Sequence, residues 1–271
     1  MRMLLPILLF ASSAICAQSR LSLTSTLPLA AGDFRVDNLG NVYGITTDGQ
    51  IRKYTAPGDS VAAYNETRRY GSLTTVDVTN PLRVLLFYKD FMTVVALDRF
   101  FGRLYVSDLR QAQILQASTV AAAYDNNFWV FDEQNAQLKR IGDQGQAVMT
   151  SDDFRQLFGE SITPEEIVDQ GGLVYLNDTA RGIYVFDYYG GFKVKLSFKG
   201  LTGLRVFGKN IYGVVGGQLF SYQPGTLQED RLILPPAEKY QIVFGGLYAL
   251  RKGVLYYYKI TGGLLSPEEK P

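Results

Sequence analysis

The feature of this sequence that most restricts its fold is a unit of about forty residues that recurs six times. In the clearest copy an apolar strand at 34–36 meets the turn Asp37-Asn38-Leu39-Gly40. A second strand carries Val42 and Tyr43, and after Thr47-Asp48-Gly49 a third runs from Ile51 to Tyr54. Asp and Gly at the turns suit tight strand connections, and the apolar alternation between them has the two-residue period of pleated strands. Five further copies cover 75–98, 123–141, 167–187, 204–222 and 242–258. An aromatic on the second strand of each copy serves as a ruler. Tyr43, Phe87, Trp129, Tyr175, Tyr212 and Tyr248 are separated by 44, 42, 46, 37 and 36 residues.

A period near forty with several short strands per unit predicts an all-β, six-bladed β-propeller. A sandwich or barrel also has many short strands, but a long regular period repeated six times argues against both. Strands such as 84–88 are apolar on both faces, as expected for strands packed between neighbouring sheets. The last copy runs out after three strands near Ile260, while the alternating segment 21–27 lacks a partner of its own. Closure is therefore expected from an N-terminal strand completing the last blade, which removes an open sheet edge. The reading gives one propeller domain over 18–260 and a flexible tail over 261–271.

Residues 1–17 read as a secretory signal peptide: Arg2, an apolar run at 3–10, then small residues up to Ala17. The alternative is a lipoprotein signal acylated at Cys16, against which the bulky Ile15 counts. Both place the chain in the periplasm or at the outer-membrane periphery, and no later apolar run is long enough to span a bilayer. Cys16 is the only cysteine, so the cleaved chain is expected to hold no disulfide.

Histidine is absent, which excludes Ser-His-Asp and Cys-His nucleophile systems and His-ligated zinc or haem. A formal net charge of +1 gives no electrostatic grip on nucleic acid. Asp37, Asp77, Asp125 and Asp169 recur at the ends of first strands, where turn capping accounts for them. A ring of carboxylates holding Ca²⁺ at the channel mouth is the sharper alternative. Between the third and fourth copies, Ser151 is expected to cap a short helix with Phe154, Leu157 and Phe158 on one face, and Thr163-Pro164 to open another helix. Core packing is the plain expectation for these aromatics and for Tyr188, Tyr189 and Tyr257. The functional expectation is a partner-binding surface built from Phe154, Phe158, Tyr188, Tyr189 and Tyr257. Asp59-Ser60-Val61 and Asp178-Thr179-Ala180 match a short O-glycosylation pattern, and Asn65-Glu66-Thr67 and Asn177-Asp178-Thr179 match N-glycosylation acceptors.

Residues 37–43 and 49–54 resemble blades of the NHL and TolB-like six-bladed propellers. The stretches 77–82 with 86–91 and 124–127 with 129–132 resemble a group of secreted bacterial envelope propellers. The resemblance implies no assigned activity, since a fold hosts many functions. The expectation is a monomeric, non-enzymatic envelope module that binds a protein partner. The alternatives are a metal-dependent lactonase or esterase with an oxygen-only site, resembling gluconolactonase-like propellers, and a glycan or small-ligand binder.

Overall fold

The computed structural model describes residues 20–262. The expected signal segment, Cys16 and most of the expected tail lie outside the described residues. The strands form six four-stranded antiparallel sheets. After β1 (Arg20–Pro28), blade 1 is β2 (Asp33–Val36), β3 (Val42–Ile45), β4 (Ile51–Tyr54) and β5 (Ser60–Tyr64). Helix α1 (Thr67–Tyr70) leads into blade 2, β6 (Leu73–Asp77), β7 (Val84–Tyr88), β8 (Thr93–Leu97) and β9 (Arg103–Asp108). Blade 3 is β10 (Ala117–Ala122), β11 (Phe128–Asp132), β12 (Gln137–Ile141) and β13 (Ala147–Thr150), followed by α2 (Phe154–Phe158). Blade 4 is β14 (Glu166–Gln170), β15 (Leu173–Asp178), β16 (Gly182–Asp187) and β17 (Phe192–Leu196). Blade 5 is β18 (Thr202–Phe207), β19 (Asn210–Val215), β20 (Gln218–Gln223) and β21 (Gln228–Ile233). Blade 6 is β22 (Lys239–Val243), β23 (Gly246–Arg251) and β24 (Val254–Thr261), with β1 as its outermost strand.

The expected closure is present: β1 pairs antiparallel with β24, from Arg20 opposite Thr261 to Pro28 opposite Val254. All six ruler aromatics lie on second strands. Adjacent blades meet through six apolar clusters, one in each gap around the ring. In one of them Leu85 and Phe87 of blade 2 pack with Phe128 and Val130 of blade 3. Each such side chain contributes roughly 1.5–3 kcal/mol when fully buried, so the gaps between sheets are the core. That is why second and third strands are apolar on both faces.

The meander sorts the loops onto two faces. Loops joining first to second and third to fourth strands lie on the face where β1 begins, here the entry face. Loops joining second to third strands, and the passages between blades, lie on the opposite crossover face.

Two local expectations are corrected. Asp153, not Ser151, caps α2, accepting from the Arg155 N–H at 2.8 Å. The Ser151 hydroxyl is buried and accepts from the Leu138 N–H instead. No helix follows Thr163-Pro164. Glu166 already belongs to the innermost strand β14, since burying Ile167 between blades outweighs the local helix signal.

Candidate functional site

The four recurrent aspartates do different work. Asp37 is buried and organises its own loop, accepting from the N–H groups of Leu39 (3.0 Å) and Asn41 (2.9 Å) and from the Tyr43 hydroxyl (3.0 Å). Asp77 accepts from the Thr79 N–H at 2.7 Å and, across the blade gap, from the Ala122 N–H at 2.6 Å. Asp125 accepts from Asn127 Nδ2 at 2.9 Å and lies 3.2 Å from Arg140. It is not the counterpart of Asp37. The Asp37 N–H opens its loop onto Asn41 O, and the matching bond in blade 3 runs from Ala123 to Asn127. Asp125 therefore matches Leu39, two residues further on. Among the described residues no three carboxylate or thiol side chains converge as metal ligands.

Asp169 caps no turn. From the innermost strand of blade 4 it accepts from Trp129 Nε1 (2.7 Å), the Tyr124 N–H (3.2 Å) and the Tyr188 hydroxyl (2.5 Å). Trp129 and Tyr124 come from blade 3, so one carboxylate clasps two blades on the entry face. Above it the Tyr124 and Tyr188 rings stack at 4.4 Å, only 5° from parallel. The Arg140 guanidinium lies 5.8 Å from the Tyr124 ring and 5.4 Å from the Trp129 ring, within cation–π range. Burial, then the bond to Asp169, pushes the Tyr188 phenol well above the ordinary tyrosine range, so it stays protonated and donating. Tyr124 is 63% exposed and Tyr189 is 91% exposed. Asp187 aims the latter outward by accepting from the Tyr189 and Gly191 N–H groups at 2.9 and 2.8 Å.

The rim continues outward between the same blades. A Cβ on Gly190 would lie 3.0 Å from the Met149 sulfur, so the 188–191 loop lies directly on blade 3. The Phe158 ring meets Phe192 at 4.8 Å and Tyr184 at 5.1 Å, and exposed Leu157 lies beside it. Phe154 is the correction here. With 0% exposure it packs on Phe131, Phe186 and Tyr184, holding α2 down and presenting nothing to a partner. Tyr257 is also separate, on β24 across the ring, half-buried against Tyr248 at 4.7 Å. Its ring lies over Gly246, where a Cβ would come within 2.5 Å of it. Tyr188, Tyr189 and Phe158 are thus brought onto one rim, joined by Tyr124 and Arg140, which sequence reasoning missed. The available signal was Tyr124 itself, a large aromatic inside the polar loop Asp125-Asn126-Asn127.

Elsewhere, a shallow cleft of about 320 Å³ on the crossover face lies between blades 1 and 2. It is lined by Thr46, Asp48, Thr67, Ser72 and Asp90, a set suited to hydrogen-bonding rather than stacking. Of the glycosylation patterns, Ser60 and Asn65 are exposed. The Thr179 hydroxyl donates to Glu165, and Asn177 is fully buried with its amide donating to Glu166 and Leu201 O.

No protein-family model matches the sequence, and no curated protein is significantly similar to it. Solved structures do share the fold. Virginiamycin B lyase from Staphylococcus aureus, a catalytically inactive His-to-Ala variant with quinupristin, is 11% identical with a TM-score of 0.58, covering 87% of this chain and 82% of its own. The BBS1 N-terminal domain in complex with ARL6 is 12% identical with a TM-score of 0.59, covering 93% and 98%. A Bacteroides fragilis protein described as exported is 9% identical with a TM-score of 0.59, covering 90% and 95%. At these identities the likeness shows the six-bladed propeller fold.

Proposed function

We propose that the chain is a non-enzymatic protein-binding module of the bacterial envelope, docking its partner on the aromatic rim between blades 3 and 4. The observation that carries this reading is the placing along one gap of the Tyr124–Tyr188 stack, held by Asp169, with exposed Tyr189 beside it and the Phe158–Phe192 pair further out. Aromatic side chains with an arginine among them are the usual composition of interface hot spots, and rigid mounting lowers the entropy lost on binding. The neighbours support a docking role for such a ring, since the BBS1 domain is seen with ARL6, and one neighbour is described as exported. The lyase chemistry does not carry over. That neighbour is inactive after loss of one histidine, and this chain has no histidine at all.

The test is in-cell photo-crosslinking from a reactive side chain at position 189, with Ser60 on the rim of blade 1 as control, followed by mass spectrometry. One envelope protein captured from 189 alone, and lost when Phe192→Asp is added, is expected. A clean monomer from both positions would overturn the reading.

A further inference from the structure

We infer that the entry face rests on a lipid bilayer, through apolar loop tips drawn from five of the six blades. This goes beyond the protein-binding reading and draws mainly on other residues. Leu39, Leu82, Phe100, Tyr189, Leu227 and Phe244 are all exposed at entry-face loop tips, drawn from blades 1, 2, 4, 5 and 6.

Four of them are presented by one device. Asp37, Asn80, Asp98 and Asp187 each accept, through a side-chain oxygen, the N–H of the residue two positions on: Leu39, Leu82, Phe100 and Tyr189. Such Asx turns require nothing apolar at that position. On the crossover face the same turn, opened by Asn65, Asp108, Asp153 and Asp178, carries Thr67, Arg110, Arg155 and Ala180. The entry-face turns of Asp77 and Asp125 carry Thr79 and Asn127, and the crossover face exposes Phe91, Leu115, Leu157 and Ile233, but none of those four is carried by an Asx turn of this kind. Phe101 shows the same bias. At φ 68° it turns into the core against Tyr43, which leaves Phe100 outside. Leu227 is itself held at φ 58°, an uncommon value for a leucine, with 73% of its surface exposed.

The arrangement selects the occupant. A protein interface concentrates its apolar contacts in a central patch, whereas tips distributed around a ring match a flat, deformable surface entered to a shallow depth. The described chain enters the fold at Arg20 on this face, so in the lipoprotein alternative an acyl group on Cys16 would tether this face and not the opposite one. Arg20, Arg99, Arg103 and Lys209 are exposed on this face against Asp59, Asp143 and Glu229, so a lipid without net charge is needed to separate apolar insertion from attraction to anionic headgroups. Zwitterionic phosphatidylcholine is therefore the probe.

The experiment uses the full chain with Cys16→Ser and a single new cysteine, Phe100→Cys or Leu227→Cys on the entry face and Phe91→Cys or Leu115→Cys on the crossover face. Each carries an environment-sensitive dye and is mixed with phosphatidylcholine vesicles bearing brominated acyl chains. The N-terminal segment is common to all variants, so the difference between faces reads orientation. A blue shift with about twofold quenching at both entry-face positions and none at the crossover positions is expected. Equal responses on the two faces, or no response at the entry-face positions, would overturn the inference. So would burial of those dyes by a co-purifying protein without lipid, which would mark the face as protein-bound.

Discussion

The two faces of this ring are built from the same turns and end in different chemistry. On the entry face, Asx turns lift leucine, phenylalanine and tyrosine into solvent. On the crossover face they carry threonine, arginine and alanine, and the exposed Phe91 and Leu115 there stand outside such turns; charged side chains pair locally on both faces. Arg155 meets Asp153 at 2.7 Å, and Glu160 collects Arg181, Lys195 and the Tyr184 hydroxyl at 3.0–3.1 Å. The lesson is that turn chemistry fixes backbone shape without fixing what the turn displays. A single exposed apolar residue at such a turn is ordinary, so what is informative is that four of them are carried by the same turn on one face.

The contrast can be broken most severely by removing the ring that both faces share. Deleting 21–27 takes away the partner of β24 and is expected to lower the thermal midpoint by more than about 10 °C in scanning calorimetry. An unchanged midpoint would show that the blade 6 pairing is dispensable. Next in size are core changes reaching the blade 3–4 gap from either face. Trp129→Ala on the entry side and Phe154→Ala under α2 should each cost about 3–5 kcal/mol in urea unfolding. A much smaller loss at Phe154 would return that residue to the candidate docking surface. Asp169→Asn keeps the shape but weakens three charge-assisted bonds, and about 1–3 kcal/mol is expected by the same measurement.

Tip changes sharpen the comparison from the other side. Leu39→Ser and Phe100→Ser should move unfolding stability by less than about 0.5 kcal/mol, because neither side chain is in the core. A larger loss would mean that the tips serve folding after all. The smallest effect is expected in acid. Three donors, Lys195 foremost, hold the Glu160 carboxyl below its ordinary range. Its stabilising contribution is thus present above the ordinary glutamate value and fades as pH falls through the lowered one. Hydrogen-exchange protection factors, taken relative to the intrinsic rate at each pH, should fall across 154–162 at pH 3 while those of the 188–191 loop change less, and an equal fall would count against a local Glu160 effect.

What could be read from the sequence follows the physics of each element. Second and third strands were legible because they are buried on both faces, as in β7 and β8, where every residue is buried, whereas the first strand of blade 3, β10 (Ala117–Ala122), lies outside the copy read at 123–141. Apart from β1, whose alternation at 21–27 stood out, outermost strands were not legible, since β17 (Phe192–Leu196) is nearly all exposed and its alternation of Lys with apolar residues points to no core. The rim was half legible. Tyr188 and Tyr189 stand out as a pair, but Arg140 looks like any strand cation until Tyr124 and Trp129 are brought beside it. Asp125 was misaligned because its sequence context imitates a first-strand end, and only the Ala123–Asn127 bond shows that the loop opened two residues earlier.

The pairing of β1 with β24 also fixes an order of events. The first described strand to be synthesised cannot meet its partner until the whole meander has been made, a sequence separation that spans almost the entire domain. Contacts of such range form late and slow folding. Until then, blade 6 presents an unpaired edge at Val254–Thr261, rich in tyrosine and suited to capture by another extended chain. Each molecule therefore passes through a stage in which its own N-terminal strand competes with foreign strands for one seat, and anything that shields β24 during that interval raises the yield of closed rings.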